Sequence, residues 1–393
     1  MMKLYKHQAR FSVENPNVAL LVWGLGSGKT RSACEWAKTR PAPLIVCPKG
    51  LKENWRRECE KWGLRTYTII SKEDFKKRVL DYHQKTLIVD ESDHFYSAQF
   101  KSALAKAMKY YVRKHNPHRL FLTGTPYRSS AWNVYSAIWF LGVDLGYQRF
   151  KLEHFQDVRM GFRMIPVPRK GSPEKVRALI NKYADVFNPE DDFDIPEQVD
   201  ETIYTGESKS QEVAHRDNIE ILPIVRFTRD HQIEAGIGCA TSTDNKLDRI
   251  VQMALDVDKL AVVCRYRAQL ETYARRLRDE GHTVFEMHGD IEAVERSLVL
   301  DKVELIKRCV LMVQSATVEG YEAPSIGVIV FASLDYSYRN YVQCRGRFLR
   351  MNRLKKNVYV HLIAGEADQA VMDSMSAKRD FDVLAYYKNK KGK

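Results

Sequence analysis

The sequence predicts an α/β protein of two tandem domains, each built on a parallel sheet. Short apolar, β-branched runs recur and alternate with helical patterns. They form two series, one in each half, on either side of a stretch rich in Pro, Gly and acidic residues. At 393 residues and 44% hydrophobic content the chain is long enough for two separate cores.

In the first half the runs are NVALLVWG, PLIVCP, YTIIS, KTLIVDES and RLFLTGTP; in the second they are LAVVCR, TVFEMHG, CVLMVQS, GVIVFAS and VYVHLIA. They are continuously apolar rather than alternating, as strands buried on both faces are. A helix is predicted from Lys29–Thr30 through RSACEWAK. In LKENWRRECEKW, Leu51, Trp55, Cys59 and Trp62 share one helix face and read as core packing. The stretch at roughly 145–245 contains PVPRKGSPEK, FNPEDDFDIPEQ and TSTDNK. The expected organisation is a first domain over 1–200, a linker and lead-in over 201–245, and a second domain with a basic tail over 246–393.

Lys and Arg number 63 against 50 Asp and Glu, a net charge of +13. That excess points to a polyanionic partner such as nucleic acid, although the terminal KNKKGK supplies several of the charges. The seven cysteines form no CxxC and lie largely in apolar runs. They read as buried thiols, so neither a disulfide framework nor structural zinc is expected. The beginning MMKLYKHQARFSVENP does not read as a signal peptide. No run approaches the ~20 apolar residues of a transmembrane helix. A soluble, cytoplasmic protein is expected.

Four motifs carry chemistry. The first, GLGSGKT, follows a buried strand and opens a helix. Glycines let backbone N–H groups approach phosphate oxygens, and a helix N-terminus favours the anion. Gly24, Gly26, Ser27 and Gly28 would form the cradle, Lys29 would reach the β/γ-phosphates and Thr30 would ligate Mg²⁺. Trp23 stands where the strict phosphate-loop pattern has glycine. The second, LIVDESD, ends a buried strand in acid: Asp90 can hold Mg²⁺ and Glu91 can activate a water. The third, LTGTP, puts Thr123 and Thr125 at another strand end, where they could sense the phosphate site; a plain turn explains this stretch equally well. In the fourth, YVQCRGRFLR, Gln343, Arg347 and Arg350 recur on one helix face. Such arginines, carried across an interdomain cleft, can stabilise a transferring γ-phosphoryl group; the alternative is a basic face toward solvent or nucleic acid.

In this order the motifs resemble a superfamily 2 helicase/translocase of the Swi/Snf-like branch, related to DEAD/DEAH-box proteins. LYKHQ is similar to the glutamine motif, GLGSGKT to motif I and PLIVCPKGLKENWRRECEKW to motif Ia. YTIIS, DESD and LTGTPYRSSAWNVYSAIWFL are similar to motifs Ib, II and III. FDIPEQVDETIY resembles the segment before the second domain. KLAVVCRYRAQLETYARRL resembles motif IV, VFEMHGDIEAVERS the His-Gly strand end after it, SATVEGYEAPSIGVIVFAS motif V and QCRGRFLR motif VI. The resemblance implies two RecA-like domains with ATP in the cleft between them. It implies that Gln8 reads adenine, that Thr317, Gly320 and Glu322 lie near nucleic acid or the ribose, and that Arg347 and Arg350 face the γ-phosphate. Asp93, Glu322, Cys344 and Leu349 depart from the commoner residues at their motif positions.

The expected function is an ATP- and Mg²⁺-dependent DNA helicase or translocase, working by duplex translocation, branch migration or unwinding. Lys49, Ser71, Arg128, Arg265, His288 and Thr317 are candidate nucleic-acid contacts. Duplex, forked or branched DNA is the expected partner, with RNA second. A monomer of compact bacterial or viral type is expected, with a role in DNA repair, recombination or replication. The alternatives are a DExH-type RNA helicase and a nucleotide-gated nucleic-acid-binding protein with little turnover. A small-molecule P-loop kinase would not need the second α/β domain.

Overall fold

Each of the ten apolar runs becomes a strand in one of two parallel six-stranded sheets. The structure, a computed structural model, describes residues 4–24, 26–124, 131–160, 163–189, 193, 196–239, 244–317, 322–349 and 354–391. The chain divides into two compact units, residues 1–192 and 193–393.

The first unit contains β1 (Val18–Trp23), β2 (Leu44–Cys47), β3 (Thr68–Ser71), β4 (Thr86–Val89), β5 (His118–Thr123) and β8 (Asp185–Phe187). Their order in the sheet is β3-β2-β4-β5-β1-β8. Strand β5 is therefore inserted between β1 and β4, with Val22 beside Thr123 and Val89 beside Phe121. An antiparallel hairpin of β6 (Phe155–Met160) and β7 (Arg163–Pro168) lies outside this sheet.

Alternation along the strands makes two cores. Leu20, Val22, Leu44, Val46, Leu87 and Val89 join the apolar cluster on one face. Their neighbours Leu21, Trp23, Ile45, Cys47 and Ile88 join the cluster on the other. Successive side chains point to opposite faces, so a run apolar at every position needs helices on both sides. The helix Lys52–Trp62 supplies such a layer through fully buried Trp55 and Cys59.

The second sheet contains β9 (Glu197–Tyr204), β10 (Lys259–Cys264), β11 (Val284–Met287), β12 (Cys309–Gln314), β13 (Val328–Phe331) and β14 (Lys356–Ile363). Their order is β11-β12-β10-β13-β14-β9. Ala261, Val263, Leu311 and Val313 face one core, and Val262, Cys264, Val310 and Met312 face the other.

Strand β9 spans residue 200 and pairs with β14 over eight positions, from Lys356 beside Glu197 to Ile363 beside Tyr204. The stretch read as linker thus carries the end of this strand and the helices Lys209–Arg216 and Pro223–Glu234. The EQVDETIY strand is polar because it is a sheet edge, where charge discourages further pairing. All seven cysteines are free thiols. Among the described residues no helix is long and apolar enough to cross a membrane.

Candidate nucleotide site and second-unit motifs

Strands β1, β4 and β5 run parallel and adjacent, so the segments leaving their C-terminal ends gather on one edge of the first sheet. Those segments carry GLGSGKT, DESD and the start of LTGTP. The chain leaves β1 through a loop in which Gly26 and Gly28 have φ of +76° and +78°. Side-chain-bearing residues enter that backbone region only at a cost, so glycine is favoured here. A Cβ on Gly28 would also collide with the amide of Gln8. The helix Lys29–Ala37 then begins with no side chain capping its N-terminus. Uncapped N–H groups after a positive-φ loop form a concavity that accepts an anion.

Gln8 and His7 brace this loop from the helix Lys6–Glu14. The buried Gln8 donates from Nε2 to the carbonyls of Ser27 and Gly28 at 3.3 and 3.4 Å. His7 Nε2 donates to Ser27 O at 2.9 Å, and its ring stacks on Phe187 with centroids 3.7 Å apart. The buried Ser27 hydroxyl has no hydrogen-bond partner. Lys29 Nζ donates to the carbonyls of Trp23 and Gly24 at 2.7 and 3.0 Å, which holds the ammonium against the loop.

Trp23 is fully buried at the end of β1. Its indole meets His7, Phe11 and Phe187 edge-on and donates to Asp185 Oδ1 at 3.0 Å. The side chain where a strict phosphate loop has glycine thus ties β1 to the glutamine-bearing helix and to β8.

Asp90 and Glu91 leave the end of β4. Asp90 Oδ2 accepts from Trp55 Nε1 at 2.8 Å and Oδ1 from the Glu91 backbone N–H at 2.9 Å. Burial, and then the charge of Glu91, push the Asp90 carboxyl up to about 6, against the Trp55 hydrogen bond and the Lys29 charge. A carboxylate with two oxygens here suits a hard divalent cation, whose charge would oppose that upward shift. Glu91 has a left-handed backbone, φ 46°, uncommon for a residue with a side chain. The buried Asp93 lies 3.5 Å from Thr123 Oγ1, the outer limit of a hydrogen bond, and so links the ends of β4 and β5.

The other first-unit candidates divide. Lys49 is exposed in the turn after β2. Ser71 is buried and caps the helix Lys72–Arg78, accepting from the Asp74 N–H at 3.0 Å. Thr125 and Arg128 lie outside the described residues.

In the second unit, His288 and Thr317 follow the adjacent strands β11 and β12. Thr317 Oγ1 donates to Gln314 O at 2.7 Å and lies 3.3 Å from Met287 O, beside His288. His288 Nδ1 is buried without a hydrogen-bond partner, and burial, then Arg267, hold its pKa down. Arg265 pairs with Asp335 at 2.7 Å and stacks over Tyr336 at 3.6 Å, which leaves its guanidinium engaged within the unit.

Gln343 is buried and Arg347 half-buried on the helix Tyr338–Phe348. The Arg347 carbonyl accepts from the Ala323 N–H at 3.0 Å, tying this helix to the segment that carries exposed Glu322. Arg345, between them, is committed elsewhere: it pairs with Asp200 at 2.6 Å and lies over Tyr359. Gly320 and Arg350 lie outside the described residues.

Sequence reasoning missed three supporting residues. Trp55 reads as core because its stripe is apolar, yet its one polar atom reaches Asp90. His7 carries no signal except adjacency to Gln8. Asp185 lies on a three-residue strand too short to register, yet it joins Trp23 to Arg10.

Residues 244–352 match the helicase conserved C-terminal domain family. Among solved structures, the chain is similar to the Sulfolobus solfataricus SWI2/SNF2 ATPase core in complex with dsDNA. The match has 17% sequence identity and a TM-score of 0.43, and it covers 96% of this chain and 91% of that one. The second unit thus carries a match to the helicase conserved C-terminal domain family, and an α/β unit bearing GLGSGKT and DESD precedes it.

Proposed function

We propose that this protein is a nucleic-acid-dependent ATPase of the Swi/Snf-type branch that converts ATP hydrolysis into movement along DNA. The observation that carries the reading is the convergence of an uncapped helix N-terminus, Lys29, Asp90 and Glu91 on one sheet edge. Lys29 exchanges its loop carbonyls for β/γ-phosphate oxygens, and the Ser27 hydroxyl gains the partner it lacks. Gln8 is assigned to the adenine edge, and its Nε2 holds the loop carbonyls. Thr30 and Asp90 would hold Mg²⁺, which would polarise the phosphates. Glu91 is the proposed general base for the attacking water.

Thr123 and Thr125 are the proposed coupling residues, and the Asp93–Thr123 contact links the ends of β4 and β5. Arg347 and Arg350 are the proposed partners of the γ-phosphoryl group in the turnover-competent state. Gly320, Glu322 and Gln343 are the further proposed nucleotide-binding residues, Gly320 and Glu322 near the ribose or the nucleic acid. Lys49, Arg128, His288 and Thr317 are the proposed strand contacts, and the +13 net charge favours a phosphate-backbone track. Ser71 and Arg265 support the backbone around that track through the cap and the ion pair they already make.

The test is the ATPase rate without polymer and with single-stranded DNA, duplex DNA, forked DNA and RNA. Stimulation by duplex DNA without strand separation identifies a translocase, and fork unwinding identifies a helicase. Stimulation by RNA alone overturns the DNA reading. Absence of turnover with every polymer overturns the motor reading.

A further inference from the structure

A second cluster of ionisable groups lies in the second unit, among residues the ATPase reading does not use. Glu207 precedes the helix Lys209–Arg216, His215 lies in its last turn, and Glu234 ends the helix Pro223–Glu234. One ligand atom from each lies within 4.8 Å of the others. We propose that Glu207, His215 and Glu234 form a binding site for a zinc-class divalent cation that staples these two helices together.

The imidazole is prepared for such a role. His215 Nδ1 donates to Asp230 Oδ1 at 3.2 Å, and Asp230 is held in turn by Asn218 Nδ2 at 2.6 Å. A carboxylate on one ring nitrogen sets the tautomer and leaves the other nitrogen as an electron-pair donor. That other nitrogen, Nε2, is buried and makes no hydrogen bond among the described residues. It lies 3.3 Å from Glu207 Oε1. Two ligands on a tetrahedral zinc ion are about 3.3 Å apart, given bond lengths of about 2.0–2.1 Å.

The carboxylates converge for a backbone reason. A Cβ at Gly365 would collide with Oε1 of both Glu207 and Glu234, so glycine is what lets the two oxygens approach. Glu234 is fixed as well, accepting the N–H groups of Ala367 and Asp368 at 2.9 and 2.7 Å. Each carboxylate oxygen has a second lone pair, so these bonds orient Glu234 without using up its capacity as a ligand.

Charged side chains surround the site. Asp368 has Lys246, and Asp230 has His215. Glu207 lies beside His215, and Glu234 lies within the influence of Lys246. One imidazole and two carboxylates suit zinc and its transition-metal neighbours better than Mg²⁺ or Ca²⁺, which prefer oxygen alone. The site uses no cysteine and does not depend on the nucleotide reading.

The test is zinc titration of the chelator-stripped full chain by calorimetry, with excess Mg²⁺ present to occupy hard-oxygen sites and no nucleotide added. The expected result is one zinc per chain for the native protein and for Cys239→Ser. Affinity should fall at least tenfold in Glu207→Gln and in His215→Gln, and about tenfold to a hundredfold in Asp230→Asn. Bound Co²⁺ should show ligand-field absorption without a thiolate charge-transfer band. The melting temperature should rise with zinc in the native chain but not in Glu207→Gln. Failure to take up zinc, uptake unchanged in Glu207→Gln, or a thiolate band would each overturn the proposal.

Discussion

Trp55 Nε1 donates to Asp90 Oδ2 at 2.8 Å, joining a core tryptophan to the acidic end of β4. The hydrogen bond favours the charged carboxylate, against the burial that pushes Asp90 up to about 6. Trp55→Phe keeps the apolar packing but removes that donor. The carboxyl then stays protonated to higher pH, so the acidic limb of the kcat–pH profile should move up by roughly one unit. A profile identical to the native one would disprove this link.

Turnover should depend on Lys29 and Glu91 without the fold depending on them. Lys29→Ala and Glu91→Gln should each abolish ATPase activity and leave the circular dichroism spectrum unchanged. Robust turnover by either variant refutes the site. Arg350→Ala should reduce kcat far more than nucleotide affinity, because the group is assigned to the transition state. Equal losses in both would remove that assignment.

Gly28 has φ of +78°, and a Cβ there meets the Gln8 amide. Gly28→Ala should distort the loop at a backbone cost of about 1–2 kcal/mol and displace Gln8. Nucleotide affinity, read with a fluorescent ATP analogue, should fall more than tenfold while the melting temperature drops only slightly. Native affinity would show that the loop tolerates the side chain.

His361 should make the second unit acid-sensitive. Its Nδ1 donates to Glu201 O at 3.3 Å, so Nε2 accepts from Tyr341 OH at 2.9 Å, and the ring stacks on Phe331. Burial lowers its pKa from 6.5 to about 4. Because the folded value is the depressed one, the stabilisation is complete above pH 6.5 and is lost as pH falls through 4. The loss should be on the order of 3 kcal/mol across that window. Denaturant unfolding from pH 7 to 4 should show a smaller decline in His361→Gln. Parallel declines in the two proteins would contradict the assignment.

Trp23 should matter for stability as well as for the loop. Trp23→Ala empties a fully buried site and should cost about 3–5 kcal/mol. Trp23→Phe should cost only about 1 kcal/mol, since Asp185 keeps Arg10 at 2.7 Å when the indole donor is lost. Urea unfolding followed in the first unit measures both. Equal costs would mean the ring contributes nothing beyond its polar atom.

All ten strands of apolar sequence were legible because parallel strands buried on both faces need apolar residues at every position. The glycine-rich turn after β1 was legible for a similar reason: glycine adopts the φ of residues 26 and 28 without steric cost. The polar strand β9 was not, because an edge strand needs no hydrophobic run and its pairing with β14 joins residues far apart in sequence.

Sequence alone thus determined the α/β class, the two sheets and the order of the motifs, since each is encoded by local periodicity or by a residue with one permitted backbone. Tertiary structure decided what the ambiguous residues do. It turned Trp55 from plain core into a donor to Asp90 and made Ser71 a helix cap. It engaged Arg265 with Asp335 and joined Trp23 to Asp185. It brought Glu207, His215 and Glu234 together across 28 residues with no motif spacing to announce them. The physical reason is common to all of these. A hydrogen bond or ion pair depends on distance and direction in space, and sequence separation carries neither.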